Sequence, residues 1–181
     1  MAFLTSLTAA LALLALPLRA AAPPPPPAAS EYEVKAAFLY NFAKFVEWPQ
    51  ARASDAFVVA IIGSDPFGDI LEQTVAGKAV QGRKLVTRRT TRPEDLDGAS
   101  IVFVSSSEAP RLPQVLKHLE GLPVLTVGDM ENFVGRGGMV GFKVKDDNVR
   151  FDIDLDQVGK SGLKMSSQLL KIARRVVSAG S

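Results

Sequence analysis

Two short runs constrain this chain more than anything else in it. Phe57 to Ile62 (FVVAII) and Ile101 to Val104 (IVFV) are apolar at every position. A strand with one wet face alternates apolar and polar residues, so a strand with no polar residue must be covered on both faces, as in the centre of a parallel sheet. Between and after these runs the pattern changes period. Pro66 to Ala76 reads as a helix, with Asp65 as its cap and Pro66 at its first position. Arg83 to Arg89 alternates like a sheet edge, Pro110 to Leu119 reads as a second helix, and Val124 to Val127 as a fourth strand. Strands alternating with helices predict an α/β fold: a doubly wound, mostly parallel sheet with helices on both faces and right-handed crossovers. Met139 to Lys145 and Val149 to Ile153, joined through Asp146-Asp147-Asn148, add a C-terminal antiparallel hairpin at one edge.

Two helices are expected to frame this sheet. Ser30 to Pro49 opens on a capping box, Ser30 with Glu33, and stops at Pro49. At about 100° per residue, Ala37, Trp48, Val34, Phe45, Phe38, Phe42, Val46 and Leu39 share one wide arc, opposite Glu47, Tyr40 and Lys44. Asn41 interrupts the arc, either as a structural amide or as a ligand or partner contact. From Leu163 onward a last helix should bury Met165, Leu169, Ala173 and Val176 and expose Lys164, Lys171, Arg174 and Arg175, packing beside the first.

The N-terminus belongs to another class of segment. Phe3 to Leu18 is an Ala/Leu run followed by Arg19 and small residues, which reads as a secretory signal peptide over residues 1–22, with an uncleaved anchor as the alternative. Residues 23–29 are a Pro/Ala-rich linker, and 30–181 a single domain. Removing the leader takes away Arg19 and no acid, which leaves 20 basic residues against 19 acidic ones, a net charge of +1. That balance gives no reason to expect nucleic acid as a partner. Export would permit disulfides, but the chain has no cysteine, and a domain of ~150 residues can bury enough core without them.

Catalytic chemistry finds few candidates. The single histidine, His118, has no nucleophile elbow to serve, and the absent cysteines exclude thiolate nucleophiles and thiolate metal sites. Gly63-Ser64-Asp65-Pro66 follows a strand and opens a helix, yet Asp65 stands where a phosphate would sit. The residues point to a binding protein, with no cofactor, rather than an enzyme. With the first four strands ordered 2-1-3-4, a crevice lies between the first and third, lined by Ser64 and Asp65 on one side and Ser105, Ser106 and Ser107 on the other. These groups are candidates for a small ligand, or else turn and cap residues. Tyr40, Lys44, Lys171, Arg174 and Arg175 are the candidates for a partner surface, or else solvated faces.

Four stretches in order, VKAAFLYNFAKFVEWP, VVAIIGSDPFG, GGMVGFKVKDDNVRFDIDL and SGLKMSSQLLKIA, resemble the YfiR family from about Glu31 to Val177. The resemblance implies a periplasmic protein that binds the periplasmic sensory domain of a membrane-bound diguanylate cyclase. It would thereby repress the enzyme, lowering cyclic-di-GMP output and biofilm formation, and could form a homodimer. Family members often carry cysteine pairs, so redox control does not transfer to this chain. The alternative function is a periplasmic small-molecule binding or sensory module using the crevice.

Overall fold

The computed structural model describes residues 30–49 and 56–178. The leader and linker readings lie outside them. Among the described residues no helix is long and apolar enough to cross a membrane.

The apolar runs do become the sheet's centre. Strand β2 (Ala56–Ile62) pairs in parallel with β4 (Arg83–Thr90) on one side and β5 (Ile101–Val104) on the other; β5 then pairs with β6 (Leu125–Gly128). Each face of β2 has its own core. Phe57, Val59 and Ile61 join one apolar cluster, while Val58, Ala60 and Ile62 join the other. The first cluster lies under α1 (Glu31–Phe45) and α2 (Asp69–Val75), the second under α3 (Leu112–Leu119). Two-sided burial is why no polar residue appears in the run, each such side chain contributing about 1.5–3 kcal/mol.

The hairpin is present as β7 (Val140–Lys145) and β8 (Asn148–Asp154), with β7 parallel to β6. Asp146 and Asp147 turn it at φ 49° and 57°, the left-handed pair that a two-residue hairpin loop requires. The hairpin is not the outermost element, however, because β10 (Arg175–Val177) adds in parallel to β8, and β3 (Ala79–Val80) flanks β4 at the far edge.

Four expectations are corrected. The first helix stops at Phe45, not Pro49. The Val46 amide still bonds to Phe42, but Val46–Glu47 swings out as β1 to pair with β9 (Lys164–Met165). That swing drives Trp48 beneath the sheet, where its ring meets Phe57 edge-on at 4.9 Å and its Nε1 donates to the Ser100 carbonyl. The buried stripe is also rotated from the expected arc: Ala36 and Ala43 are buried, Ala37 is exposed, and Tyr40 is half-buried against the core. The second helix starts at Asp69 with Gly68 as its cap, since the Asp65 carboxylate is drawn back to the Phe67 amide and to Arg89. The last helix shrinks to α5 (Ser167–Ile172), because Ser166 caps a new start and Arg174 is pulled onto β8 by Asp152. Between β8 and β9 a short helix not expected from the sequence, α4 (Leu155–Lys160), is capped by Asp154.

Candidate functional site

Helix α1 is fixed over β7 and β8 by rings: Phe38 and Phe42 each meet Phe142 and Phe151 at centroid distances of 5.2 to 6.0 Å. This packing directs one face of the helix, and with it Lys35, toward the sheet. Lys35 is the residue that the periodicity reading passed over. At 100° per residue it falls between Phe42 and Leu39, inside the apolar arc, and that position was the available signal.

The Lys35 side chain is 3% exposed. Its Nζ donates to Asp129 Oδ2 at 2.7 Å, pairs with Glu31 one turn back, and sits 4.4 Å from the Tyr32 ring centroid. The Tyr32 hydroxyl donates to the same Asp129 oxygen at 3.1 Å. Burial alone would pull the ammonium's pKa down; the hydrogen bonds to Asp129 and Glu31 outweigh it and leave Lys35 above the ordinary lysine value. Burial, reinforced by the Asp129 charge, likewise holds the Tyr32 phenol above its usual value.

These groups form a wall of an open cleft of about 400 Å³, whose other sides include Ser106, Glu131, Phe142 and Lys143. Ser106 follows β5 and Asp129 follows β6, so the cleft lies off the carboxyl ends of parallel strands, where α/β sheets take ligands.

The expected crevice groups are distributed differently. Ser64, Ser105 and Ser107 do come together: Ser107 Oγ accepts from the Ser64 amide at 2.9 Å and lies 3.3 Å from Ser105 Oγ. Gly63, at φ +95°, passes so close that a Cβ there would stand 2.5 Å from Ser107 Oγ. Asp65 is engaged by Phe67 and by Arg89, which also grips Glu72 and the Gly68 carbonyl. Ser106 alone of the five named candidates lines the open cleft.

The expected partner residues do not form one patch: they are divided among α1, α5 and the β10 edge, and the α1 pair lies toward Lys78 beside β3 at the opposite edge of the sheet. Tyr40 and Lys44 are on α1, with Lys78 Nζ 4.2 Å from the Tyr40 ring centroid. Lys171 is exposed on α5, and Arg175 is exposed on β10. Arg174 instead makes a two-pronged ion pair with Asp152, its Nε 2.8 Å from Oδ1. Asn41 is half-buried and outside the buried stripe. His118 meets Asp97 at 3.1 Å. Among the described residues, no group of three or more His, Cys, Asp or Glu is placed to hold a metal ion.

Residues 32–174 match the family described as YfiR/HmsC-like. Among solved structures, the fold is similar to the crystal structure of a conserved domain protein from Vibrio cholerae O1 biovar eltor, with a TM-score of 0.55 at 10% identity, over 82% of this chain and 60% of that one. The ABC domain of Streptococcus pneumoniae in complex with L-Trp aligns at a TM-score of 0.48 and 11% identity, over 67% of this chain and 55% of that one. The chain thus spans little more than half the length of either protein.

Proposed function

The chain belongs to the YfiR/HmsC-like family, and from that premise we propose that it is a periplasmic signalling regulator. It binds the periplasmic sensory domain of an inner-membrane diguanylate cyclase and represses it, lowering cyclic-di-GMP output. The observation that carries the reading is the extent of the match, from Tyr32 beside the cleft to Arg174 just before the last strand, which takes in both layers of helices and every strand of the sheet between them except β10. Repression by such a protein is differential binding: it stabilises the inactive state of the partner by as much as it prefers that state. Lys44, Lys171 and Arg175, with half-buried Tyr40 and the exposed, ion-paired Arg174, are the residues proposed to face the partner.

The test is an affinity capture of the tagged protein from detergent-solubilised membranes of its own organism, read by mass spectrometry. Recovery of an inner-membrane protein with a cytoplasmic cyclase domain is the expected result. Repeated recovery of no membrane signalling protein overturns the repressor reading.

One observation favours a second reading, a small-molecule sensory module: the open cleft with a buried, ion-paired lysine in its wall. A ligand held there raises the melting temperature, and Ser106→Trp, which fills the cleft mouth, removes the rise. An unchanged rise locates the ligand elsewhere.

A further inference from the structure

The hairpin outruns the strand beside it. The Asp154 amide donates to the Met139 carbonyl, so the main-chain groups of Met139, and by alternation those of Gly141, Lys143 and Lys145, face β8. Those of Phe142 and Val144 therefore face the β6 side. β6 ends at Gly128, opposite Gly141, and its chain then turns to Met130, buried in the apolar cluster on the face away from α1. Past that point β7 continues from Phe142 to Lys145 with no strand on that side, about 13 Å of edge. Among the described residues, no group takes the Phe142 carbonyl or the amide and carbonyl of Val144.

This open edge is one side of the cleft. Phe142, Lys143 and Val144 line it, Ser106 past the end of β5 stands across from them, and Tyr32 and Lys35 close it from α1. Within the sheet β6 fills the place between β5 and β7, so the cleft is the place that β6 leaves vacant, about 10 Å from the line of one neighbour to the line of the other. That width takes one extended chain. It does not take the edge of a second copy, whose β7 would bring β8 in with it. The apolar side of the slot is also defined: Val144, 49% exposed, lies on the same face of the hairpin as Phe142, the face on which Phe142 meets α1.

We propose that the cleft binds a single extended peptide segment, about four residues long, which takes up the line of β6 and bonds through its main chain to the Phe142 carbonyl and to the amide and carbonyl of Val144. Main-chain bonds supply the affinity, and an apolar side chain laid against Val144 supplies selection. This rests on the reading of the cleft as a ligand site and names the class of ligand.

Val144→Pro is the discriminating variant. It deletes the outward N–H at 144 and leaves the bonds of Lys143 and Lys145 to β8, the one strand context that tolerates proline. The probe is a fluorescein-labelled hexapeptide alternating valine and threonine, titrated into the full chain by fluorescence anisotropy. It is expected to bind, to slow amide exchange at Val144 but not at Lys143, whose amide already faces β8, and to weaken at least about tenfold in Val144→Pro, the worth of one main-chain hydrogen bond. Val144→Thr keeps the N–H and should stay within about threefold of the wild type. Should Val144→Pro fail to fold, the unaltered chain is titrated with a depsipeptide of the same side chains, in which esters replace the amides and no N–H can be donated; a loss of at least about tenfold is expected again. Equal binding of peptide and depsipeptide overturns the proposal, as does peptide binding unaffected by Val144→Pro or by Ser106→Trp. Concentration-dependent dimers abolished by Val144→Pro would make a second copy the occupant and overturn it too. A small molecule whose melting-temperature rise is removed by Ser106→Trp, with no peptide binding, would refute the peptide while leaving the cleft a ligand site. Failure of the cleft reading itself would show as a rise that Ser106→Trp leaves unchanged, again with no peptide binding.

Discussion

Asp129→Ala should be among the costliest single changes in the chain. The substitution leaves the Lys35 ammonium in a site where its side chain is 3% exposed, with Asp129 itself only 9% exposed in the native pair. Breaking a buried ion pair from one side costs about 3–5 kcal/mol, because the remaining charge is neither solvated nor compensated. Glu31 is still one turn away, but its side chain is 43% exposed, so water screens what it can return. The expected loss is therefore about 3 kcal/mol, and at about 2–4 °C per kcal/mol for a domain of this size the melting temperature falls by roughly 6–12 °C. Lys35→Met is the mirror perturbation: it keeps the stem's packing against Tyr32 and Phe142 but leaves the Asp129 carboxylate with the Tyr32 hydroxyl, at a cost of about 2 kcal/mol. The double variant removes both charges and should lie within about 1 kcal/mol of the wild type, since an apolar replacement of a buried pair is often neutral. Urea unfolding followed by circular dichroism at neutral pH measures all three. If the double variant loses the sum of the single losses, Lys35 and Asp129 are not coupled and the account of the cleft wall fails.

Three further expectations follow from single contacts. Arg174→Ala should cost about 1–2 kcal/mol by stranding buried Asp152, while Arg175→Ala should change stability by less than about 0.5 kcal/mol; equal losses in chemical denaturation would restore a continuous last helix. Gly63→Ala combines a φ of +95° with a Cβ 2.5 Å from Ser107 Oγ and 2.8 Å from Glu108 Cγ, so a loss of about 2–4 kcal/mol is expected by the same assay, and a neutral result would mean that this turn relaxes freely. The hydrogen bond from Arg89 holds the Glu72 carboxyl down to about 2 from an ordinary 4.5. A depressed acid gives stability that is complete above its unfolded value and is lost as pH falls from about 4.5 toward 2. Because Glu72 is partly exposed the contribution is under about 1 kcal/mol, and Glu72→Gln should flatten that part of the pH-stability curve.

Whether an element could be read from the sequence depended on whether its neighbours in space were also its neighbours in the chain. The all-apolar runs at 57–62 and 101–104 needed only two covered faces, and the 2-1-3-4 order of the first four strands followed from short crossovers; both are present. The two terminal helices were overextended for one reason. Val46-Glu47-Trp48 and Arg174 to Val177 keep an apolar spacing compatible with helix, but each pairs with a strand distant in sequence, β9 more than a hundred residues away and β8 across the intervening α4 and α5. Helical periodicity records which side is apolar, and an edge strand with one apolar face can satisfy a few positions of the same pattern. Lys35 was passed over because a lysine's residue type predicts solvent, and only the partner 94 positions away makes its burial stable.

The same logic explains why the open volume lies one strand away from the expected crevice. At the β2–β5 junction the polar groups satisfy one another: Ser107 takes the Ser64 amide, Ser105 caps the turn that presents Ser107, and Gly63 lets the two loops approach to contact distance. Loops that close on each other leave little room for a ligand. Beyond β5 the connection runs differently, because α1 enters from outside the alternating strand-helix series and lies across β7 and β8 through its phenylalanines. The N-terminal turn of α1 therefore faces the ends of β5 and β6 across a gap that no crossover helix fills, and the gap is bridged at its base by Lys35 and Asp129. A protein whose cleft is braced by one ion pair between its first helix and its sheet couples that helix to whatever enters the cleft. A ligand that competes for Asp129 must loosen α1, and one that adds to the pair must tighten it, so amide exchange along Glu31–Phe45 should report occupancy with a sign that tells the two apart.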